Sequence, residues 1–370
     1  MIDIVGTLKR GGRELIAHID FPLLLITLTI MAVGLATVNS ATLDSSHRML
    51  SQAGNMGVAM VVMWFVARQP PQRLMRYAIP LYIIGLLLLV AVFLFGVKIN
   101  GARRWLPIGF TRIQPSEIMK IAMPLMLAWY FHKYEATLRA RHFIFAVILL
   151  AVPFGLIAKQ PDLGTALLVG SAGFFVIFFA GLPWKVIIGL IAAAGAAAPL
   201  LWGMMHDYQR KRILTLIDPT TDPLGAGYHI IQSTIAIGSG GSFGKGYLKG
   251  TQTHLEFIPE KHTDFIFAVF SEEWGLLGNV VLVLLYTLLI GRGMVIAASA
   301  QTMFTRLLAG AITLGFFTYA FINMGMVSGI LPVVGVPLPF MSYGGTALVT
   351  LFVGIGILMS IHTHGGRVNK

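Results

Sequence analysis

Ten apolar runs, each close to the length of a membrane span, recur along this 370-residue chain. They lie at about 21–40, 51–67, 78–96, 114–132, 142–158, 163–181, 184–204, 264–291, 305–328 and 343–361. At 1.5 Å of rise per residue, about 20 residues of helix cross a hydrocarbon core of about 30 Å. Within lipid a spanning segment must satisfy its own backbone, and at this length only a helix does so. Composition agrees. Hydrophobic residues make up 56% of the chain and charged residues 11%, against about 25% charged in an ordinary soluble domain. The expectation is an all-α polytopic membrane protein with about ten transmembrane helices, built as one integral membrane domain over 1–370.

Cysteine chemistry falls away at once. There is no cysteine, so disulfides, thiolate nucleophiles and cysteine-ligated metals are excluded. The net charge of +12 would suggest nucleic acid in a soluble protein. Here it fits membrane topology, anionic lipid and phosphate-bearing ligands instead. Residues 1–20 are mixed in charge, with no apolar core after a short basic start. They are expected to form a cytoplasmic or interfacial segment rather than a signal peptide.

An even number of spans puts both termini on one side. With the N-terminus inside, fourteen Lys and Arg fall on inner segments and six on short outer ones. The positive-inside rule therefore predicts cytoplasmic termini. It also places residues 205–262, between spans 7 and 8, outside as one large extracytoplasmic loop. The outer segment 97–113 breaks the pattern with Lys98, Arg103, Arg104 and Arg112. It reads either as a tolerated contact with lipid headgroups or as an anion site, since a planar guanidinium makes paired hydrogen bonds to phosphate.

Ionisable residues inside spans are costly and mark function or internal pairing. Those here are Glu117, Lys120, Glu272 and Glu273, with Asp162 and Asp264 at span entrances. All are expected in the outer halves of their spans, so the charges converge from outside. Glu117 and Lys120, three apart, can pair with each other. Glu272 and Glu273 cannot both face inward. Glu272 is expected to pair internally, and Glu273 to reach another partner or a polar cavity.

The polar stretch 225–275 ends in His262-Thr263-Asp264-Phe265, which makes Asp264 the leading candidate for a catalytic carboxylate. Two readings of it stay open. At a helix start it can serve as a cap, which lowers its pKa; beneath the loop, burial raises it. The glycines of 238–246 read as turns and close backbone approach, with a phosphate-cradling nest as the alternative. Three prolines within 329–345 forbid a regular helix there. That segment is expected to fold back as a re-entrant cap.

These segments together resemble the SEDS family (shape, elongation, division and sporulation). The carriers are NGARRW at 100–105, QPSEIMK at 114–120, KQPDLGTA at 159–166 and DPLGAGYHIIQS at 222–233. Further carriers are IAIGSGG at 235–241, GKGYLKGTQTHLEFIPEKHTDFIFA at 244–268 and GILPVVGVPLPFMSYGG at 329–345. Glu260-Lys261-His262 favours the elongation branch over the division branch.

The resemblance implies a peptidoglycan glycosyltransferase of the cytoplasmic membrane that polymerises lipid II into glycan strands at the outer, periplasmic face. It implies a class B penicillin-binding protein as partner, within the elongation machinery. It carries the family's essential aspartate onto Asp264, and its basic cavity positions onto Arg103, Arg104 and Lys120, with Glu117 beside them. Glu256 and Glu260 are further candidates for sugar or metal contact, and Asp162 and Glu272 for the cavity. The positive charge facing the pyrophosphate comes from the basic residues or from a divalent cation, Mg²⁺ or Mn²⁺. A precursor flippase would need polar groups reachable from both sides, and a scaffold would need no converging charges.

Overall fold

The computed structural model describes residues 17–42, 46–99, 102–108, 111–205, 207–222, 225–255, 257–258 and 260–365. The chain runs through α1 (Phe21–Ala41), α2 (Ser46–Ala67), α3 (Pro71–Arg76) and α4 (Ala78–Phe95). Three short strands follow: β1 (Val97–Ile99), β2 (Ala102–Ile108) and β3 (Thr111–Ile113). Then come α5 (Pro115–Lys133), α6 (Ala140–Lys159), α7 (Leu163–Phe179) and α8 (Trp184–Met204). Three shorter helices, α9 (Asp207–Ile217), α10 (Ala226–Ser239) and α11 (Thr251–His254), lead to α12 (Ile266–Ser299), α13 (Met303–Val327) and α14 (Thr346–Gly365).

Among the described residues, seven helices are long and apolar enough to cross a membrane: α1, α2, α4, α6, α12, α13 and α14. The apolar helices α7 and α8 are shorter by the same measure, and α5 carries Glu117 and Lys120 in its first two turns. The chain is a polytopic helical membrane protein. Helix starts follow local chemistry. Asp20 caps α1 by accepting from the Leu23 amide at 2.9 Å, and its carboxylate also meets Arg292 and His362. One side chain thereby ties α1 to α12 and α14.

The structure departs from the sequence expectation in one place and adds local structure in another. Segment 97–113 is not a plain loop, and the fold is not purely α. It forms an antiparallel meander in the order β1-β2-β3. The 205–262 segment is largely helical. Its α10 buries Ile230, Ser233 and Ala236, a three-residue spacing that lines one helix face against α12.

α5 and α13 form the centre. Met119, Met123 and Phe131 of α5 are fully buried, and α5 packs against α4, α6, α7, α13 and α14. By contrast α4 turns Leu87, Leu94 and Phe95 outward, as a lipid-facing helix does.

α12 is broken at Gly275, whose φ of 63° and ψ of −160° leave the helical region. A break leaves backbone groups unpaired, which lipid cannot satisfy. The glycine segment repairs it from both sides. The carbonyls of Glu272 and Glu273 accept from the amides of Lys245 and Gly246, each at 3.0 Å. The amides of Leu276 and Leu277 donate to Gly241 and Ser242 carbonyls at 2.9 and 3.0 Å. The glycines are therefore used for close backbone approach. At Gly244, φ is +78° and a Cβ would lie 2.1 Å from the Glu273 carbonyl. Gly244→Ala is expected to cost about 2 kcal/mol or more through strain and lost backbone bonds, read as a lower melting temperature of the purified protein.

The 328–345 segment has no regular structure and lies folded into the protein, as the prolines predict. Val336, Leu338, Phe340 and Met341 are buried. Its carbonyls find protein donors: Tyr286 Oη reaches Pro339 at 2.6 Å and Gln52 Nε2 reaches Ser342 at 3.2 Å.

Candidate active site

Asp264 lies in the turn just before α12. It is not the helix cap: Phe265 holds that position, without a side-chain bond. The Asp264 carboxyl has no hydrogen-bond partner among the described residues, although the residue is half-buried. Burial, then the negative charge of Glu260, pushes its pKa up to about 6, while Arg104 pulls the other way. Between the two readings left open by the sequence, burial wins. One carboxyl oxygen lies against Gly335, where a Cβ would sit 3.2 Å from Oδ2. Glu260, exposed at the rim, accepts from Thr263 Oγ1 at 2.9 Å.

The meander separates the two adjacent arginines. Successive side chains on a strand point to opposite faces. Arg103 is exposed, whereas Arg104 is half-buried and reaches Asp162 Oδ1 at 3.7 Å. Its Nε is buried with no hydrogen-bond partner among the described residues, while the rest of the guanidinium stays part-exposed. Asp162 is fully engaged. It caps α7 through the Thr165 amide at 3.2 Å and accepts from Gln114 Nε2 at 3.0 Å. It holds Arg104 in place and has little capacity left for substrate.

Beneath this layer Glu117 and Lys120 pair at 2.6 Å, both nearly buried. Lys120 Nζ also lies 5.0 Å from the centre of the Tyr319 ring. The second oxygen of Glu117 and the hydroxyl of Ser116 are buried without partners. Unsatisfied buried groups are rare in folded proteins and call for an explanation; here they share the first turn of one helix. Glu117 lines an open groove of about 620 Å³ between α2, α4, α5 and α14. Its walls are mostly apolar, including Val58, Leu81, Ile118 and Val349, with Asn55, Gln114 and Thr346 among the polar positions.

Glu272 does not join this site. It is fully buried under the polar loop, where it accepts from Lys245 Nζ at 2.7 Å and from the Gln252 and Thr253 amides at 2.9 and 3.2 Å. Its internal pairing matches the sequence expectation, and its cavity role does not. Glu273 accepts from Ser40 and from the Leu248 amide. Glu256 lies outside the described residues. Among the described residues no three His, Asp or Glu side chains gather closely enough to hold a metal ion. Arg104 and Lys120 are the basic side chains paired with Asp162 and Glu117.

Sequence reading missed Gln114, Tyr319, Asn323 and Ser342. Asn323 carried a signal, since a lone amide inside an apolar span is costly for the same reason as a charge.

The chain is similar to known proteins over nearly its full length. It is 51% identical over 354 residues to the peptidoglycan glycosyltransferase MrdB of Escherichia coli K12, covering 95% of this chain and 96% of the relative. It is 36% identical to a probable peptidoglycan glycosyltransferase FtsW of Thiomicrospira cyclica, covering 94% and 92%. Among solved structures, it superposes with a TM-score of 0.83 on a chain of a peptidoglycan synthase complex described as coordinating polymerization and crosslinking. That match has 34% identity and covers 94% of this chain and 98% of the other. The rod shape determining protein RodA of Thermus thermophilus gives a TM-score of 0.70 at 30% identity, covering 93% and 96%. The family model for FtsW, RodA and SpoVE, described as cell cycle protein, matches residues 15–366, and the chain belongs to that family.

Proposed function

We propose that this chain is the elongation-type peptidoglycan glycosyltransferase of its bacterium, polymerising lipid II at the outer face of the cytoplasmic membrane. Ten spans, cytoplasmic termini and a periplasmic site complete this reading, with α5, α7 and α8 joining the seven longer helices. The observation that carries it is the Asp264 carboxyl, half-buried against Gly335 and without a hydrogen-bond partner among the described residues; burial raises its pKa to about 6, against the pull of Arg104. A general base works best with a pKa near the operating pH and a free lone pair.

The chemistry follows. Asp264 takes the proton from the acceptor sugar's 4-hydroxyl. The oxygen attacks the donor's anomeric carbon and the polyprenyl pyrophosphate leaves from the opposite face, with inversion. One carboxylate suffices because the leaving group needs no protonation, unlike the paired carboxylates of glycoside hydrolysis. Arg104 faces the departing pyrophosphate with the part-exposed end of its guanidinium, and Lys120 adds positive charge below. The polyprenyl tail lies in the apolar groove lined by Val58, Ile118 and Val349. A class B penicillin-binding protein crosslinks the strands.

Purified protein given lipid II, with and without that partner, should produce a ladder of glycan chains on a gel. A flippase yields none, and a scaffold yields none without a partner enzyme. Arg104→Ala is expected to lower kcat/KM about 100-fold, the scale for losing one preorganised donor to a developing anion. Arg103→Ala should stay within about threefold, as for a solvated surface charge. Equal losses in both variants would reject the division of labour that the strand imposes.

A further inference from the structure

The segment carrying Asp264 makes little regular structure of its own, so its backbone must be held by something else. Three consecutive carbonyls are each taken by a donor from outside. His262 O accepts from the Tyr343 amide at 2.8 Å. Thr263 O accepts from Ser342 Oγ at 2.7 Å. Asp264 O accepts from Asn323 Nδ2 at 2.8 Å.

Asn323 does more than satisfy one carbonyl. It is fully buried in α13, and the same Nδ2 donates to Val336 O at 2.7 Å. An amide nitrogen has two hydrogens, and both are used. They join Asp264 to the re-entrant segment, one residue beyond Gly335, which touches the Asp264 carboxyl. Gly335 has a φ of +70°, so its backbone path depends on being held. The Oδ1 atom of Asn323 is buried without a partner. A buried amide with an orphaned oxygen is a poor choice for stability alone.

We infer that Asn323 is a positioning residue for glycan polymerisation, a two-hydrogen clamp that fixes the Asp264 backbone against the re-entrant segment at Val336. Ser342 supports it one residue upstream, where its hydroxyl also accepts from the Leu338 amide at 2.7 Å. Asn323 touches neither substrate nor the Asp264 carboxyl. It sets where that carboxyl stands relative to Gly335 and Arg104. Aspartate at this position would bring lone pairs against two carbonyls, and leucine would fill the space with no donor. This inference rests on Asp264 being the base.

The test is polymerisation of lipid II by the full-length protein, measured from about pH 5 to about pH 8 to span the titration of the base. Asn323→Leu should lower kcat about 100-fold, the scale for a displacement near 1 Å. KM should change less than about twofold, since no substrate contact is lost. The acid limb should also move to lower pH as the freed carboxyl gains water. Asn323→Ser, which keeps one donor hydrogen, should recover part of the rate and of the limb. Ser342→Ala should show a smaller change in the same direction, and these two carry the test if Asn323→Leu fails to fold. Unchanged kcat, or a loss of rate with the acid limb in place, overturns the positioning role. Asp264→Asn is measured alongside. If it is active, the base assignment fails and this inference with it. If it is inactive while Asn323→Leu runs at full rate, only the positioning role fails.

Discussion

Asp264→Asn should abolish lipid II polymerisation, by about 10⁴-fold or to the detection limit, because an amide of the same shape cannot take the acceptor's proton. The variant should fold at least as well as the parent. In the folded protein the carboxyl's pKa lies near 6, above the ordinary value of 3.8. A raised carboxyl pKa means the folded state favours the neutral form. Its stabilising contribution is complete below about pH 3.8 and is lost as the pH rises to about 6. At neutral pH the ionised carboxylate therefore weakens the fold, and the neutral amide removes that cost. Activity of the parent should rise with pH through about 6 as the base ionises. Melting temperature measured with glycan synthesis separates the effects: an inactive variant with an unchanged or higher melting temperature is a loss of chemistry. A variant that keeps even a tenth of the rate would remove Asp264 from the base role.

The sequence was informative where a costly residue type met an apolar background. Asp264, Asp162, Glu117 and Lys120 stand out because charge in a span needs a reason, and Glu117 and Lys120 do pair at the expected i, i+3 spacing. The re-entrant segment was legible from its prolines. The separation of Arg103 from Arg104 was not, because it depends on a strand of seven residues in a chain that otherwise reads as helix. The dipeptide Asn100-Gly101 between the flanking segments is a hairpin signal that could have shown it. Glu272 was misplaced for a different reason. Periodicity tells which helix face a carboxylate occupies, but not that a loop twenty residues upstream folds onto that face to supply its partners. Asn323 escaped because an uncharged amide stands out less than an ionisable group against an apolar span.

The Glu117–Lys120 pair allows stability and catalysis to be separated. Both side chains are about nine-tenths buried. Lys120→Met should therefore leave an uncompensated carboxylate and cost about 3–5 kcal/mol, with activity lost as a consequence. Glu117→Gln with Lys120→Met removes both charges, and stability should return to within about 1 kcal/mol of the parent, since a buried pair replaced by neutral groups is often close to neutral. Unfolding of both variants in the same detergent or bilayer mimic reads this directly. Polymerisation should not return with it. Glu117 lines the groove and Lys120 is the buried cation on the next turn; on the reading that Lys120 donates to the departing pyrophosphate, the double variant loses that donor and should run about 100-fold slower, the scale of one electrostatic contact in a dry site. Full activity in the stable double variant would make the pair purely structural and leave Arg104 as the cation that neutralises the leaving group. A stable, slow double variant would show that the same two residues serve both the fold and the reaction.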